Sequence, residues 1–160
     1  MKKLSVPMVV ALLLAILLVS TTLAAASARK PLPLKGSIEA LETYQVSGPT
    51  MFVTATGSGE ATHLGRYTVT YEVQVDLPTG TGTGLSAQYV AANGDRLFAE
   101  GSGQATPTED PSVFVVVETY TITGGTGRFA DATGSFTETR RVNIETGVTS
   151  GTIDGTIVIP

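Results

Sequence analysis

The chain has 160 residues, with fourteen acidic and ten basic side chains and no cysteine. This length favours a single domain, and the lack of cysteine excludes disulfides, thiolate metal sites and cysteine nucleophiles. Without Lys2 and Lys3 the balance is more acidic still and no basic tract remains, which argues against the clustered positive charge that non-specific nucleic-acid binding requires.

Residues 1–28 have the three parts of a secretory signal peptide. Met1–Lys3 is a basic head, Met8–Ser20 contains an uninterrupted apolar run, and Leu23–Ala28 offers small residues at A-x-A spacing. The competing interpretation is an uncleaved membrane anchor, but a span needs roughly 20 apolar residues. The sequence therefore predicts export to the periplasm or the exterior through a cleavable signal peptide, with membrane contact only if this segment is retained.

Residues 29–35 are predicted to form an extended linker, because Pro31 and Pro33 disfavour helix around them. Residues 36–160 show no helical pattern and are predicted to be one β domain. The clearest strand is Tyr67–Asp76, where apolar and polar residues alternate strictly. Eight strands are predicted: Ser37–Gln45, Thr50–Thr56, Gly65–Asp76, Leu85–Ala92, Arg96–Gly101, Ser112–Thr123, Ser135–Ile144 and Val148–Ile159.

Turn chemistry separates these strands. Asn93-Gly94 is a tight-hairpin signal, the Gly-Ser-Gly segments at 57–59 and 101–103 have turn composition, and residues 77–84 and 105–111 are predicted as longer loops. Consecutive strands with such short links predict a meander, and a meander loses its exposed edges most completely by closing. The predicted fold class is all-β, as a single eight-stranded antiparallel up-and-down barrel, with a β-sandwich as the alternative.

The segment GGTGRFADATG, residues 124–134, follows a predicted strand directly. Gly125–Ala130 matches the G-x-G-x-x-A dinucleotide fingerprint, but that site needs a helix starting at the loop, and the following residues alternate like a strand. We interpret the segment as a structural corner in which Phe129 and Ala132 cover one end of the core and Arg128 bonds to loop carbonyls or a carboxylate. The residues predicted to form this turn are Gly124, Gly125, Gly127, Arg128, Phe129 and Gly134.

The same segment resembles the G-G-T-G-x-F-x-x-A-x-G turn of the allene oxide cyclase and dirigent β-barrel superfamily. Residues 57–71, GSGEATHLGRYTVTY, are similar to a segment of bacterial secreted members of that group. The resemblance covers about half of the chain after the leader, and it implies an eight-stranded antiparallel barrel. Known members include a plant cyclase acting on a fatty-acid epoxide and plant proteins that steer radical coupling. The shared turn is a structural element, so it does not carry either activity with it.

Several charged residues fall on apolar strand faces. The two-residue period of a strand places Glu138 and Arg140 on the same face as Phe136, and places Glu118 with Phe114. A buried charge is costly unless it is paired. These residues therefore predict an internal salt bridge of Arg140 with Glu138 or Glu118, a rim position at the barrel mouth, or the polar end of a ligand pocket in the lumen. The candidate lumen residues are Tyr67, Tyr71, Glu118, Tyr120, Phe136, Glu138 and Arg140.

His63 is the single histidine, and without a second nitrogen ligand or a thiol it makes a poor transition-metal site. It is interpreted as a capping or hydrogen-bonding residue near a strand start. Residues 108–110 supply two acids, too few for a dedicated calcium site. No catalytic residue, metal or cofactor is predicted.

The predicted function is non-enzymatic binding of a small, mainly apolar molecule in the barrel lumen or at its mouth. Two other classes stay open. A cofactor-free isomerase or cyclase on a lipid-like substrate predicts an open lumen with an ionisable residue at depth. A structural, self-associating envelope protein predicts a filled lumen and an apolar patch on the outer wall. Homo-oligomer formation is left open.

Overall fold

The computed structural model describes residues 29–160, so the predicted signal peptide lies outside the described residues. Each strand pairs antiparallel with its neighbours in sequence, and the first pairs with the last, which closes the barrel. The predicted eight-stranded barrel is confirmed, and the sandwich alternative is not adopted. The strands are β1 Leu32–Ser47, β2 Thr50–Ala61, β3 Gly65–Asp76, β4 Thr81–Ala91, β5 Arg96–Pro107, β6 Val113–Gly125, β7 Thr133–Asn143 and β8 Val148–Val158.

Strict alternation of side chains explains why these segments form a one-layered barrel. In β3, the inward residues Tyr67, Val69, Tyr71 and Val73 are buried, and the threonines between them are exposed. Such a strand must bury its apolar face, and here the sheet does so by closing on itself. Within residues 29–160 there is no helix of the length and apolarity that crossing a membrane requires.

The first strand begins earlier than predicted. Residues 32–35, predicted to belong to the linker, form the start of β1 and pair with β8. Leu32 lies opposite Ile157, and Lys35 lies opposite Asp154 with an ion pair of 3.2 Å between their side chains. Proline disfavours a helix, but its fixed φ is compatible with extended backbone at the start of a strand.

The two Gly-Ser-Gly segments are not turns, so that prediction is wrong. Both continue their strands, which lengthens β2 to Ala61 and β5 to Pro107. The glycines leave room for large side chains on adjacent strands: a Cβ at Gly59 would meet the Tyr67 ring, and one at Gly103 would come 2.5 Å from Glu118 Cγ. Barrels of this size fill their interior by such pairing of small and large residues.

One end of the barrel is closed. The β6–β7 connection contains a single turn of 3₁₀ helix, Gly127–Phe129, and Phe129 is fully buried. Arg128 lies over the Phe129 ring at 4.8 Å from its centroid and donates to the backbone carbonyl of Leu64 at 3.3 Å. Gly127 has a φ of +57° and packs against the Asp95 carboxylate, so a side chain there would be strained and would clash.

Aromatic rings fill the lumen between the closed end and the middle of the barrel. Tyr67 and Phe136 each meet Tyr89 edge to face, with centroids 5.4 and 5.9 Å apart. Tyr120 stacks on Phe136 at 4.7 Å with an interplanar angle of 13°. This half of the barrel is therefore a packed core. Strand β1 begins and strand β8 ends at the closed end of the barrel. The β1–β2, β3–β4, β5–β6 and β7–β8 turns surround the other end.

Candidate functional site

A cavity of about 340 Å³ opens at the end of the barrel opposite Phe129. We call it the mouth pocket. Its floor contains Glu42, Glu118 and Arg140. Its walls are almost entirely apolar: Val46, Met51, Val53, Val73, Val75, Leu77, Phe114, Val116, Val142 and Ile144. Concave, mainly apolar pockets with a few polar groups at one place are the usual form of small-molecule sites.

The three floor residues and Glu138 form one group of ionisable side chains, which we call the charge cluster. Its members are almost completely buried: Glu138 is 0% exposed, Glu118 2%, Arg140 3% and Glu42 7%. They come from three strands, β1, β6 and β7. Period-two alternation aims each of them inward, because their neighbours along the strand are exposed or, for Thr137, half-buried.

Arg140 is the centre of the charge cluster. Its Nε donates to Glu118 Oε2 at 3.1 Å and its Nη2 donates to Glu118 Oε1 at 2.9 Å, a bidentate pair. Its Nη1 donates to Glu42 Oε1 and, at 3.2 Å, to Thr149 Oγ1. The guanidinium carbon also lies 5.1 Å from the Tyr71 ring centroid, a cation–π contact. The guanidinium is therefore held from several sides.

Tyrosine hydroxyls surround the two carboxylates that pair with Arg140. Tyr71 and Tyr44 donate to Glu42 at 2.6 and 2.8 Å, and Tyr120 donates to Glu118 at 3.2 Å. Burial raises the pKa of Tyr71 and of Tyr44 well above the ordinary value, and the negative charge of Glu42 adds to the effect in both cases. These hydroxyls therefore remain protonated and act as hydrogen-bond donors.

Glu138 is the least satisfied member of the charge cluster. Its Oε1 lies 3.4 Å from Arg140 Nε, but it has no hydrogen-bond partner in the described part of the protein. Its Oε2 accepts a long hydrogen bond of 3.5 Å from the Tyr89 hydroxyl. Burial raises the pKa of Glu138 to about 8, and repulsion from Glu118 adds to this, while Arg140 opposes it. At neutral pH this carboxyl is therefore mainly protonated.

The charges in the cluster do not cancel. Burial alone lowers the pKa of Arg140, but Glu118 and Glu42 offset this and hold the pKa above its ordinary value. One guanidinium thus faces two paired carboxylates even when Glu138 is neutral. The pocket floor carries net negative charge, and Arg140 is the one basic residue among those that line the pocket.

The structure places the predicted lumen residues in two groups. Glu118 and Arg140 line the mouth pocket. The other five candidates are buried but do not line it: Tyr67, Tyr71, Tyr120, Phe136 and Glu138. Of the two salt bridges predicted as alternatives for Arg140, the one with Glu118 is formed, at 2.9 Å, whereas Glu138 Oε1 lies 3.4 Å from Arg140 Nε without a hydrogen bond.

Glu42 was not among the sequence candidates, although a signal for it exists. In β1, Ile38, Ala40, Glu42, Tyr44 and Val46 alternate with residues that are exposed. The same period-two argument that identified Glu138 would therefore have placed Glu42 on the inner face. The apolar residue Leu41, which lies next to Glu42 but on the exposed face, obscures the alternation.

His63 lies away from the mouth pocket, in the β2–β3 turn at the closed end, with a φ of +66°. Among residues 29–160 no group of three His, Cys, Asp or Glu side chains is arranged to hold a metal ion.

Comparison of the chain with protein-family models, with curated proteins and with solved structures found no match. The chemistry of the site is therefore the basis for assigning a function.

Proposed function

We propose that the protein is an exported β-barrel that binds a small, mainly apolar molecule in its mouth pocket without transforming it. The single observation that carries this proposal is the pocket itself, with about 340 Å³ of open space and apolar walls in a barrel whose other half is packed solid. Filling that space with side chains would bury more apolar surface and stabilise the fold by roughly 25 cal/mol per Å². An unfilled apolar cavity of this kind supports a binding role.

Exposed apolar residues around the rim of the pocket also support binding of an apolar molecule. Val46, Leu77 and Ile144 line the pocket and keep 63%, 46% and 40% of their surfaces exposed. Each lies at the edge of a turn that surrounds the mouth. Large apolar groups gathered at the entrance of a cavity provide contact surface for an apolar ligand.

The experiment that tests the proposal is the fluorescence of the neutral dye N-phenyl-naphthylamine, which brightens in an apolar site. The variant Ala105→Phe places a ring in the pocket, because Ala105 lines it. Thr106→Phe places the same ring on the exposed outer face of β5 and is the matched control. We expect the dye to bind the native protein and the control, and to lose affinity for Ala105→Phe. Equal dye affinity in all three proteins would refute the proposal.

A cofactor-free isomerase is the second candidate, because Glu138 supplies a buried carboxyl with a raised pKa of about 8. Its position argues against this role. Glu138 does not line the pocket and has no exposed surface, so it lies beneath Arg140 and out of reach of a bound molecule. A general acid must come within hydrogen-bond distance of the reacting group. The geometry therefore favours binding over catalysis.

The structural alternative has less support. It requires a filled lumen and a continuous apolar patch outside, whereas the lumen is open at the mouth. Leu41 and Val148 are exposed neighbours on β1 and β8, but Phe52 and Val117 are exposed on other strands. One neighbouring pair and two separate residues do not form a continuous patch, and isolated exposed apolar residues are normal on a protein surface.

A further inference from the structure

The floor of the mouth pocket offers acceptors more than donors. Arg140 has five N–H groups, and four of them already donate to Glu118, Glu42 and Thr149. A ligand carboxylate would need free guanidinium donors, ideally two side by side. The Glu118 carboxylate already occupies that bidentate edge.

The two carboxylates on the floor keep unused acceptor capacity. Glu42 Oε2 accepts from Tyr44 alone, and Glu118 Oε1 accepts from Arg140 alone, among the contacts of the described residues. Each carboxylate oxygen can accept two hydrogen bonds. Both side chains line the pocket and are more than nine-tenths buried. Each side chain therefore keeps acceptor capacity at the floor of the pocket.

Charge acts in the same direction as hydrogen bonding. The lining residues include two acids and one base, Glu42, Glu118 and Arg140. Glu138 lies directly behind them and contributes no positive charge in either protonation state. In a pocket with apolar walls, a ligand anion would meet net repulsion and would lose its hydration without finding donors. A ligand cation or a neutral hydrogen-bond donor is not repelled by the floor, and the carboxylate acceptors replace part of its lost hydration.

From these observations, and on the basis of the proposed function, we infer the chemical class of the ligand. The mouth pocket takes an apolar molecule whose polar end donates hydrogen bonds and carries no negative charge, such as an amine or an alcohol. It rejects a carboxylate of the same size. Arg140 serves to neutralise the floor in part and to orient Glu42 and Glu118, and it is not an anchor for an anionic ligand.

The test uses three probes with the same eight-carbon chain: octylamine, octanol and octanoate. Each competes with N-phenyl-naphthylamine for the protein at pH 7. We expect octylamine and octanol to displace the dye at concentrations about tenfold lower than octanoate, which corresponds to about 1.4 kcal/mol. If octanoate displaces the dye at the same concentration as octylamine and octanol, or at a lower one, the inference is overturned and the proposed function stands. A protein that binds neither the dye nor any probe would overturn both.

Glu42→Gln tests the origin of the preference. It keeps the size of the side chain but removes one negative charge from the floor, so the advantage of octylamine over octanoate should shrink. Glu39→Gln is the matched control, because Glu39 lies on the same strand and is exposed on the outer face. An unchanged preference in folded Glu42→Gln would overturn the inference. If thermal unfolding shows that Glu42→Gln does not fold, the ranking of the three probes on the native protein decides.

Discussion

Glu118 on β6 and Glu138 on β7 are direct cross-strand partners, and both side chains are buried inside the barrel. Like charges that face each other in a sheet are destabilising. Arg140, two residues from Glu138 along β7, contacts both carboxyls, but it is also paired with Glu42. Burial raises the pKa of Glu138 most, repulsion from Glu118 adds to this, and Arg140 offsets only part of it, so Glu138 keeps its proton to higher pH.

The first prediction concerns the pH dependence of stability. The pKa of Glu138 rises from an ordinary value of 4.5 to about 8 on folding. Between these values the folded protein holds a proton that the unfolded chain has lost, so the contribution of this group to stability falls as pH rises. The native protein should lose stability on the order of 4 kcal/mol through this group by pH 8. Below pH 4.5 both states are protonated and the loss vanishes.

Urea unfolding of the native protein and of Glu138→Gln from pH 4 to pH 9 measures this effect. The glutamine variant should show a flatter profile and should be the more stable protein at pH 8. Glu39→Gln, which changes an exposed residue of β1, should reproduce the native profile. If the free energies of unfolding of the native protein and of Glu138→Gln change in parallel with pH, Glu138 is ionised in the folded protein and the prediction is wrong.

The second prediction concerns the centre of the charge cluster. Arg140→Met leaves Glu42 and Glu118 buried without their cation, which typically costs about 3–5 kcal/mol. Arg141→Met is the control, because Arg141 is the adjacent residue and is exposed on the outer wall. Its effect should stay within about 0.5 kcal/mol. Chemical denaturation of both variants at pH 7 gives the comparison, and equal stabilities would contradict the central position assigned to Arg140.

The third prediction concerns the closed end. Phe129 is fully buried and Phe52 is 41% exposed. Phe129→Ala should therefore cost about 3–5 kcal/mol through lost burial and an unfilled cavity, while Phe52→Ala should cost much less. Thermal unfolding with a fluorescent reporter separates the two. A mild effect at Phe129 would mean that the β6–β7 turn does not seal the barrel.

The fourth prediction separates backbone strain from collision in that turn. Gly127 and Gly48 both have left-handed backbone, with φ of +57° and +59°. A Cβ at Gly48 would meet open space, whereas one at Gly127 would collide with the Asp95 carboxylate. Gly48→Ala should therefore show the conformational cost alone, about 1 kcal/mol, and Gly127→Ala should be clearly less stable. Similar unfolding midpoints would mean that Asp95 moves aside freely.

The barrel could be predicted because its signals are local. β3 alternates so regularly that its predicted limits, residues 65–76, match the structure. The boundaries of β2 and β5 could not be predicted from local composition, because the inward glycines Gly59 and Gly103 respond to side chains on other strands. Glycine favours turns when its local sequence alone is considered, but here Gly59 makes room for Tyr67 and Gly103 makes room for Glu118.

The candidate site was predictable in part for the same reason. Glu118, Glu138 and Arg140 were found because each interrupts an apolar face with a charge. Their joining with Glu42 depends on closure of the barrel, which brings β1 to the same level of the lumen as β6 and β7. The division of the lumen into a packed half and an open half depends on the volumes of side chains from all eight strands, which no single segment shows.

The most direct test of the central claim is methyl NMR of the protein during titration with octanol. If the mouth pocket is the binding site, the methyl signals of Val53, Val73 and Val116 should shift with saturation, because these residues line it. Those of Ile153 and Ile157, buried but not lining the pocket, should stay in place. Shifts confined to outer-wall residues such as Leu41 and Val148, or no saturable shift in any methyl signal, would contradict the account.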